Sequence, residues 1–411
     1  MYCSLIALAS KLSAQQSTYS LYSAYGLGIE NFEGNIANTS MGGISSYSDN
    51  FSYAVNNPAT YADLKLTSFG IGTSRLVTQI KAHDGTATAK QTSFDYLNIA
   101  IPTGKFGFGI GLRPYRTIAY RLQSEQTDNI LGDFSKDQQG SGTVNNVYFG
   151  LGSTILKGLK LGAEFQYNFG RLEEQIVNYY ETTFDTRYIY QTDVSGFAFN
   201  FAAIYDYDIN ETTLLRLGVT HKISDDFSLE NSQERATVTN ENGIDVVEDI
   251  ESVDTEDRSF KIPSVSTASL SIKKQNRWFA ATELYSTNNM DYGDPIYDRA
   301  EITYIRAYGA KLGGHYIPKF NSLTNYFNKI TYRFGAQYDR LGVMIENEQI
   351  ENFGISFGLG LPLPRQYSLF DIGFKLGTRG RITDRLVKEN YFRMSLGLTL
   401  GQKWFKKRKY N

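Results

Sequence analysis

Apolar and polar residues alternate with a period of two along most of this chain, and that pattern limits the fold more than any other feature of the sequence. In residues 390–400, Phe392, Met394, Leu396, Leu398 and Leu400 share one parity while Arg393, Ser395, Gly397 and Thr399 take the other. Leu161, Ala163, Phe165, Tyr167 and Phe169 alternate in the same way with Gly162, Glu164, Gln166, Asn168 and Gly170. Ile330, Tyr332, Phe334, Ala336 and Tyr338 alternate with Thr331, Arg333, Gly335, Gln337 and Asp339. Successive side chains of a strand point to opposite faces, so each run is a strand with one oily side. A soluble sandwich turns that side to its core, whereas a membrane barrel turns it to lipid and fills the lumen from the polar side. Periodicity alone fits both.

Connection lengths separate the two. Strands are predicted over residues 67–80, 90–101, 105–122, 142–155, 159–177, 187–205, 212–224, 260–273, 277–288, 299–315, 329–343, 350–361, 366–378 and 390–400. Every second connection is short, as at Pro102–Lys105, Leu156–Gly158, Lys274–Asn276 and Pro362–Arg365, with Pro318–Asn328 the longest of that set. The intervening ones are longer, notably Gln123–Ser141 and Asp225–Ser259. An even strand count with short turns on one rim and long loops on the other predicts an all-β, about fourteen-stranded antiparallel transmembrane β-barrel over residues 65–400. A sandwich has no reason to segregate its loops in this way.

Composition agrees. Tyr 30, Phe 26 and Gly 37 against 8 Pro suit strands with large side chains on one face and small ones on the other. No run of 18 apolar residues follows the amino terminus, which excludes a bundle of membrane helices. A net charge of −2 offers no basic surface for a nucleic-acid partner.

The two ends differ from the array. Residues 1–14 have the layout of a secretory signal, with the apolar run Leu5-Ile6-Ala7-Leu8-Ala9 and the small-residue site Leu12-Ser13-Ala14, although Lys11 interrupts it. The single cysteine, Cys3, precedes the apolar run, so it is not placed for lipidation. Residues 15–64 carry Met41-Gly42-Gly43-Ile44 and Val55-Asn56-Asn57-Pro58-Ala59-Thr60-Tyr61, which read either as a compact non-helical plug with tight turns or as a surface loop leading into the first strand. Residues 401–411, with Lys403-Trp404-Phe405-Lys406-Lys407-Arg408-Lys409, are expected to anchor at the periplasmic interface. The carboxylates of the Asp225–Ser259 connection follow no cation-loop spacing and read as a solvated outer loop, with contact to lipopolysaccharide as the alternative.

Enzyme motifs fail in context. Gly354-Ile355-Ser356-Phe357-Gly358 matches a nucleophile elbow but lies inside an alternating strand, and Gly107-Phe108-Gly109-Ile110-Gly111 lacks the third glycine and helix of a dinucleotide loop. His83, His221 and His315 stand apart from one another and from any cysteine. The sequence therefore predicts no enzyme, no cofactor and no metal site.

Met41-Gly42-Gly43, the Asn57-Pro58-Ala59 tripeptide before the first strand, and Lys261-Ile262-Pro263-Ser264 after the longest outer loop together resemble the FadL/TodX family of outer-membrane transporters for hydrophobic compounds. The likeness spans essentially the whole mature chain. It implies a fourteen-stranded barrel in the cell outer membrane, with residues 15–64 as a hatch in the lumen carrying the motif residues Gly42, Gly43, Asn56, Asn57, Pro58 and Ala59. It also implies a kinked third strand that opens the wall sideways. Pro114 fits there, because a proline cannot donate to the ladder and the alternation of Phe106, Phe108, Ile110 and Leu112 resumes only at Ile118, Tyr120 and Leu122. Arg113 and Arg116 flank it and are the candidate ligands for an acid headgroup. Two departures stand out: Thr60 follows the tripeptide where family members often have Gly, and the chain ends in a basic tail.

The expected function is passive uptake of a hydrophobic small molecule, such as a long-chain fatty acid, by lateral diffusion through the wall, in contact with outer-membrane lipid and lipopolysaccharide. The alternative is a structural or accessory subunit of a larger outer-membrane complex, docked on an envelope protein, and a third reading is a nonspecific porin. A transporter requires a closed plug and an apolar pocket, a porin a wide lumen lined by opposed charges, and a scaffold neither pocket nor gap.

Overall fold

Fourteen strands, each hydrogen-bonded to the next and the last to the first, close the wall of the protein. They are β1 (Thr67–Lys81), β2 (Thr86–Thr103), β3 (Phe106–Asp128), β4 (Gly132–Leu156), β5 (Leu159–Tyr180), β6 (Asp185–Asn210) and β7 (Thr213–Ser224). The circuit continues with β8 (Val265–Lys274), β9 (Trp278–Thr287), β10 (Tyr308–Tyr316), β11 (Thr331–Ile345), β12 (Glu348–Pro362), β13 (Tyr367–Arg379) and β14 (Lys388–Gln402). β14 pairs with β1 from Lys388↔Lys81 to Gln402↔Thr67, which leaves the circuit without an open edge at the seam. This computed structural model describes residues 20–404 apart from 31, 84, 129–131, 182, 242–243, 289–301, 346, 365–366 and 384–385. The signal read at 1–14 and most of the basic tail lie outside the described residues.

Hydropathy is inverted relative to a soluble protein. On β5, Leu161, Phe165, Tyr167 and Phe169 are exposed while Glu164, Gln166 and Asn168 are buried. On β11 Phe334 is exposed and Arg333, Gln337 and Asp339 are buried; on β14 Phe392, Met394 and Leu396 are exposed and Ser395 is buried. The oily face is the outside, which resolves the ambiguity that periodicity leaves: a sandwich would bury it. No helix among the described residues is long and apolar enough to cross a membrane.

Turns on one rim are tight. Gly104 and Gly158, both at positive φ, and Asn276, at φ 55°, make three of them. The other rim differs from the sequence reading. Gln123–Ser141, expected as a loop, is strand on both arms, since β3 and β4 stay paired out to Asp128↔Gly132. Asp225–Ser259, also expected as a loop, contains strands Asp226–Glu241, Ile244–Val253 and Arg258–Lys261. The tenth strand begins at Tyr308, not near 299; a short strand, Ile302–Tyr304, pairs instead with the far end of β11, and residues 289–301 of that connection lie outside the described residues. These arms carry no continuous oily face, because polar residues dominate Gln123–Ser141 and carboxylates interrupt Ile244–Val253, so they read as loop although the ladder continues.

Residues 20–64 contain a 3-10 turn at Leu21–Ala24, a short strand Ile29–Glu30, one helical turn at Ile36–Thr39 and a 3-10 turn at Pro58–Asp63. The expected non-helical segment is thus corrected. Asn35 caps the helical turn and Asn57 caps the last, each through a side chain that accepts a backbone N–H, with Pro58 at the first position where its missing donor costs nothing.

Candidate functional site in the lumen and wall

The lumen is filled by residues 20–64, and wall glycines make the fit. A Cβ at Gly107, Gly109 or Gly150 would collide with Tyr61, one at Gly152 with the Pro58 carbonyl, and one at Gly162 with Pro58 and Ala59. On the other side of the barrel, Met41 and Gly42 lie against Gly313 and Gly335 in the same manner. Gly42 has φ +72° and a Cβ on it would sit 2.7 Å from the Leu312 carbonyl, so both its conformation and its space demand glycine. The glycine-rich inner faces are occupied by the protein's own chain. The signal for this was present: glycines on the lumen parity of β3, β4, β5, β10 and β11.

Charges fasten the segment from all sides. Arg113 on β3 donates from Nη2 to Glu164 Oε1 at 2.8 Å, from Nε to Asn146 Oδ1 at 3.0 Å, and from Nη1 to Asn56 Oδ1 at 3.2 Å and the Val55 carbonyl at 3.3 Å. Its guanidinium lies 4.9 Å from the Phe32 ring centroid and 4.6 Å from that of Tyr148. The Asn200 amide donates to the Asn56 carbonyl at 2.9 Å, and Tyr61 OH to Glu164 at 3.1 Å. A second node joins Asp63 to Lys160 and Arg216, and both cations to Asp206. A third brings Ser45 and Lys311 to Glu283, and a fourth pairs Glu33 with Lys375 at 2.5 Å. Burial alone would push the Asp63 carboxyl up, but Arg216 and Lys160 hold it well below the usual range. Burial likewise opposes ionisation of Glu33, yet Lys375, Arg393 and Lys311 lower its pKa from 4.5 to about 2.

The predicted site residues fall into two groups. Arg113, Asn56 and Asn57 sit together beside β3, with Pro58 and Ala59 on the neighbouring wall; Gly42 and Gly43 lie across the lumen against β10 and β11. Arg116 is apart from Arg113: its Nη1 donates to the Gly28 carbonyl at 3.0 Å and its guanidinium packs on Tyr115. Pro114 lies two residues beyond the last β2–β3 pair, Leu97↔Leu112, and the β3–β4 register shifts between Pro114 and Arg116, so Tyr115 is a bulge. Sequence reasoning missed the matching irregularity on β2, where Gly72↔Tyr96 is followed by Thr73↔Phe94 and Asp95 is left over. Beyond these two bulges β2 stays with β1 while β3 leaves it. The exposed edge of β3 is taken by the chain itself, with Ile29↔Thr117 and Glu30↔Arg116 paired, and with Ser20 N–H donating to the Ala119 carbonyl at 3.2 Å.

Other sequence motifs are absorbed into this architecture. Ser356 is a lumen-facing strand residue whose Oγ accepts the Gly42 N–H at 2.9 Å. His315 packs against Tyr47 and Phe279, and His221 lies within 2.9 Å of Ser266 on the outer wall. Among the described residues no cluster of His, Cys, Asp or Glu gathers as a metal site. A cavity of about 940 Å³ lies on the outside, framed by Phe106, Leu161, Phe201, Val219 and Leu284 over small Ala163 and Ala268. A polar one of about 20 Å³ lies in the lumen beside Glu30, Glu33 and Arg393.

A closed barrel with a polar, filled interior and an apolar exterior defines the class of transmembrane β-barrels. Within that class, the whole chain, residues 1–411, matches the family model of BamG, and the protein belongs to the BamG family. Among solved structures its fold is similar to the Pseudomonas putida toluene transporter TodX, with 16% identity over 92% of this chain and 99% of that one and a TM-score of 0.60. It is similar also to a Pseudomonas aeruginosa FadL homologue, with 12% identity over 90% of this chain and 98% of that one and a TM-score of 0.56. A search of curated proteins gives no match. The FadL/TodX resemblance read from sequence therefore holds at the level of fold, while the family is BamG.

Proposed function

We propose that this protein is an outer-membrane conduit for hydrophobic small molecules, long-chain fatty acids among them, whose exit is the wall between β2 and β3 and whose hatch is the segment from about Gln15 to Leu64. The observation that carries this reading is the paired bulge at Asp95 and Tyr115, beyond which the ladder stops and the chain's own residues 20–30 cover the edge. An unpaired backbone group in hydrocarbon costs several kcal/mol, so a break in a membrane wall persists only where something covers it. A cover of two paired residues is removable, unlike a strand of the wall. The likeness of the fold to TodX, a toluene transporter, supports the same reading. Arg113 is engaged by Glu164 and Asn56, so the headgroup role falls to Arg116 of β3, whose Nη1 bond to the Gly28 carbonyl is given up when the cover leaves.

The accessory-subunit reading rests on a different observation: four charged nodes fix the lumen segment to strands on all sides, as a rigid scaffold would be built. One experiment divides the two. Antiparallel partners lie within disulfide reach, so Ile29→Cys with Thr117→Cys, in a Cys3→Ser background, locks the cover onto β3 when oxidised. Proteoliposome uptake of a labelled long-chain fatty acid or monoaromatic hydrocarbon should drop several-fold in the oxidised form and return on reduction. Replacing Pro114 with Val, which restores a donor at the break, should act in the same direction. Uptake unaffected by the lock refutes this exit, and no uptake in any form leaves the accessory role.

A further inference from the structure

On the outer rim, strand Asp226–Glu241 is flanked on one side by the far half of β6, from Asp185↔Val238 to Ser195↔Ser228, and on the other by Ile244–Val253. Ala236 and Val238 are buried accordingly, and this strand is central in the sheet. Ile244–Val253 is different. Among the described residues it pairs only with Asp226–Glu241, and Val246, Ile250 and Val253 are 37%, 58% and 36% exposed. A register shift leaves Glu248 as a bulge, so Val246 and Ile250, opposite Thr239 and Ala236, fall on opposite faces. The strand belongs to a crest above the closed wall, because β7 and β8 pair directly below it from Lys222↔Val265. Its free edge is thus in water, where a row of unsatisfied N–H and C=O groups is a template for another strand.

Charge identifies the occupant. Residues 225–257 hold twelve carboxylates and one cation, Arg235, in a chain whose net charge is −2. Glu248, Asp249 and Glu251 flank the open edge and are exposed. Like charges facing across a strand pair are destabilising, so a second copy is disfavoured and a cationic strand favoured. We propose that the edge Ile244–Val253 receives an extended, lysine- or arginine-rich segment of a partner protein as an added antiparallel strand. Its backbone groups supply the ladder, its cations meet Glu248, Asp249 and Glu251, and its apolar residues cover Val246 on one face and Ile250 on the other. This surface is independent of whether the lumen conducts anything.

The test uses the full-length protein in detergent and a labelled peptide of alternating Lys and Val, as long as the strand, followed by fluorescence anisotropy at low and high salt. Saturable, salt-sensitive binding is expected, with slowed amide exchange over 244–253. Neighbouring residues direct their N–H groups to opposite edges, so of Ile250→Pro and Glu251→Pro one removes a free-edge donor and the other an internal one. The variant that keeps exchange protection over 226–241 is the free-edge one, and it should weaken binding roughly tenfold or more. Replacing Glu248, Asp249 and Glu251 together by Lys should abolish it. Absence of saturable binding overturns the proposal, as does binding that ignores the free-edge proline, which is electrostatic adhesion, or self-association of the native protein through this edge.

Discussion

Arg113 and Glu164 form a buried ion pair whose other partners among the described residues are neutral, with the Glu164 side chain fully inaccessible. Removing one partner strands the other, which costs about 3–5 kcal/mol, while removing both can be nearly neutral. Arg113→Met should therefore lower the temperature of the heat-dependent mobility shift, and Arg113→Met with Glu164→Met should recover most of it; equal loss in both would show that the pair is not the coupled unit. Glu33 gives a pH signature. Its pKa falls from 4.5 to about 2 on folding, so its contribution is complete above pH 4.5 and is lost as pH drops toward 2. Proteolytic protection of residues 20–64 should decline across that window, and Glu33→Gln should flatten the decline there. Ser356 shows why a residue-level motif has to be read with its element: the spacing matches, but the strand decides which way the hydroxyl points.

Among the elements, the wall strands were legible because each has an oily parity, and their predicted ends fall within a few residues wherever that parity holds. The arms above the belt were not. In strands Asp226–Glu241 and Ile244–Val253 carboxylates interrupt the alternation, and only the pairing of the first with β6 and of the second with the first reveals them. Since β7 and β8 pair directly, the crest is an insertion in the wall. Replacing residues 226–261 with a short turn should leave a heat-modifiable barrel in the membrane fraction. Phe227, Leu229, Phe260 and Ile262 share a buried cluster with Ala24, Leu27 and Tyr115, so the same variant should expose residues 20–27 to protease. A barrel that fails to assemble without the crest would make it part of the folding unit. The bulge at Pro114 was readable from the slip in alternation, whereas Asp95 was not, because no proline marks it.

At the scale of the molecule, the lumen is stoppered by its own chain, and deleting residues 20–64 should raise planar-bilayer conductance from a small value to that of an open pore. A large conductance in the intact protein would instead favour a porin. The sequence by itself determined the class: alternation specifies strands, and loop segregation with an even count specifies a closed membrane wall. It determined that the lumen parity is polar and rich in glycine, too. Only the tertiary structure decided what that parity faces. Whether Gly107, Gly150 and Gly335 border ligand, water or protein depends on contacts with Tyr61, Met41 and Gly42, residues dozens to hundreds of positions away, and no local pattern encodes them. The same holds for the charges, since Asp63 pairs with Arg216, and Glu33 with Lys375, only after the barrel has closed around the segment and excluded the water that would otherwise solvate each one.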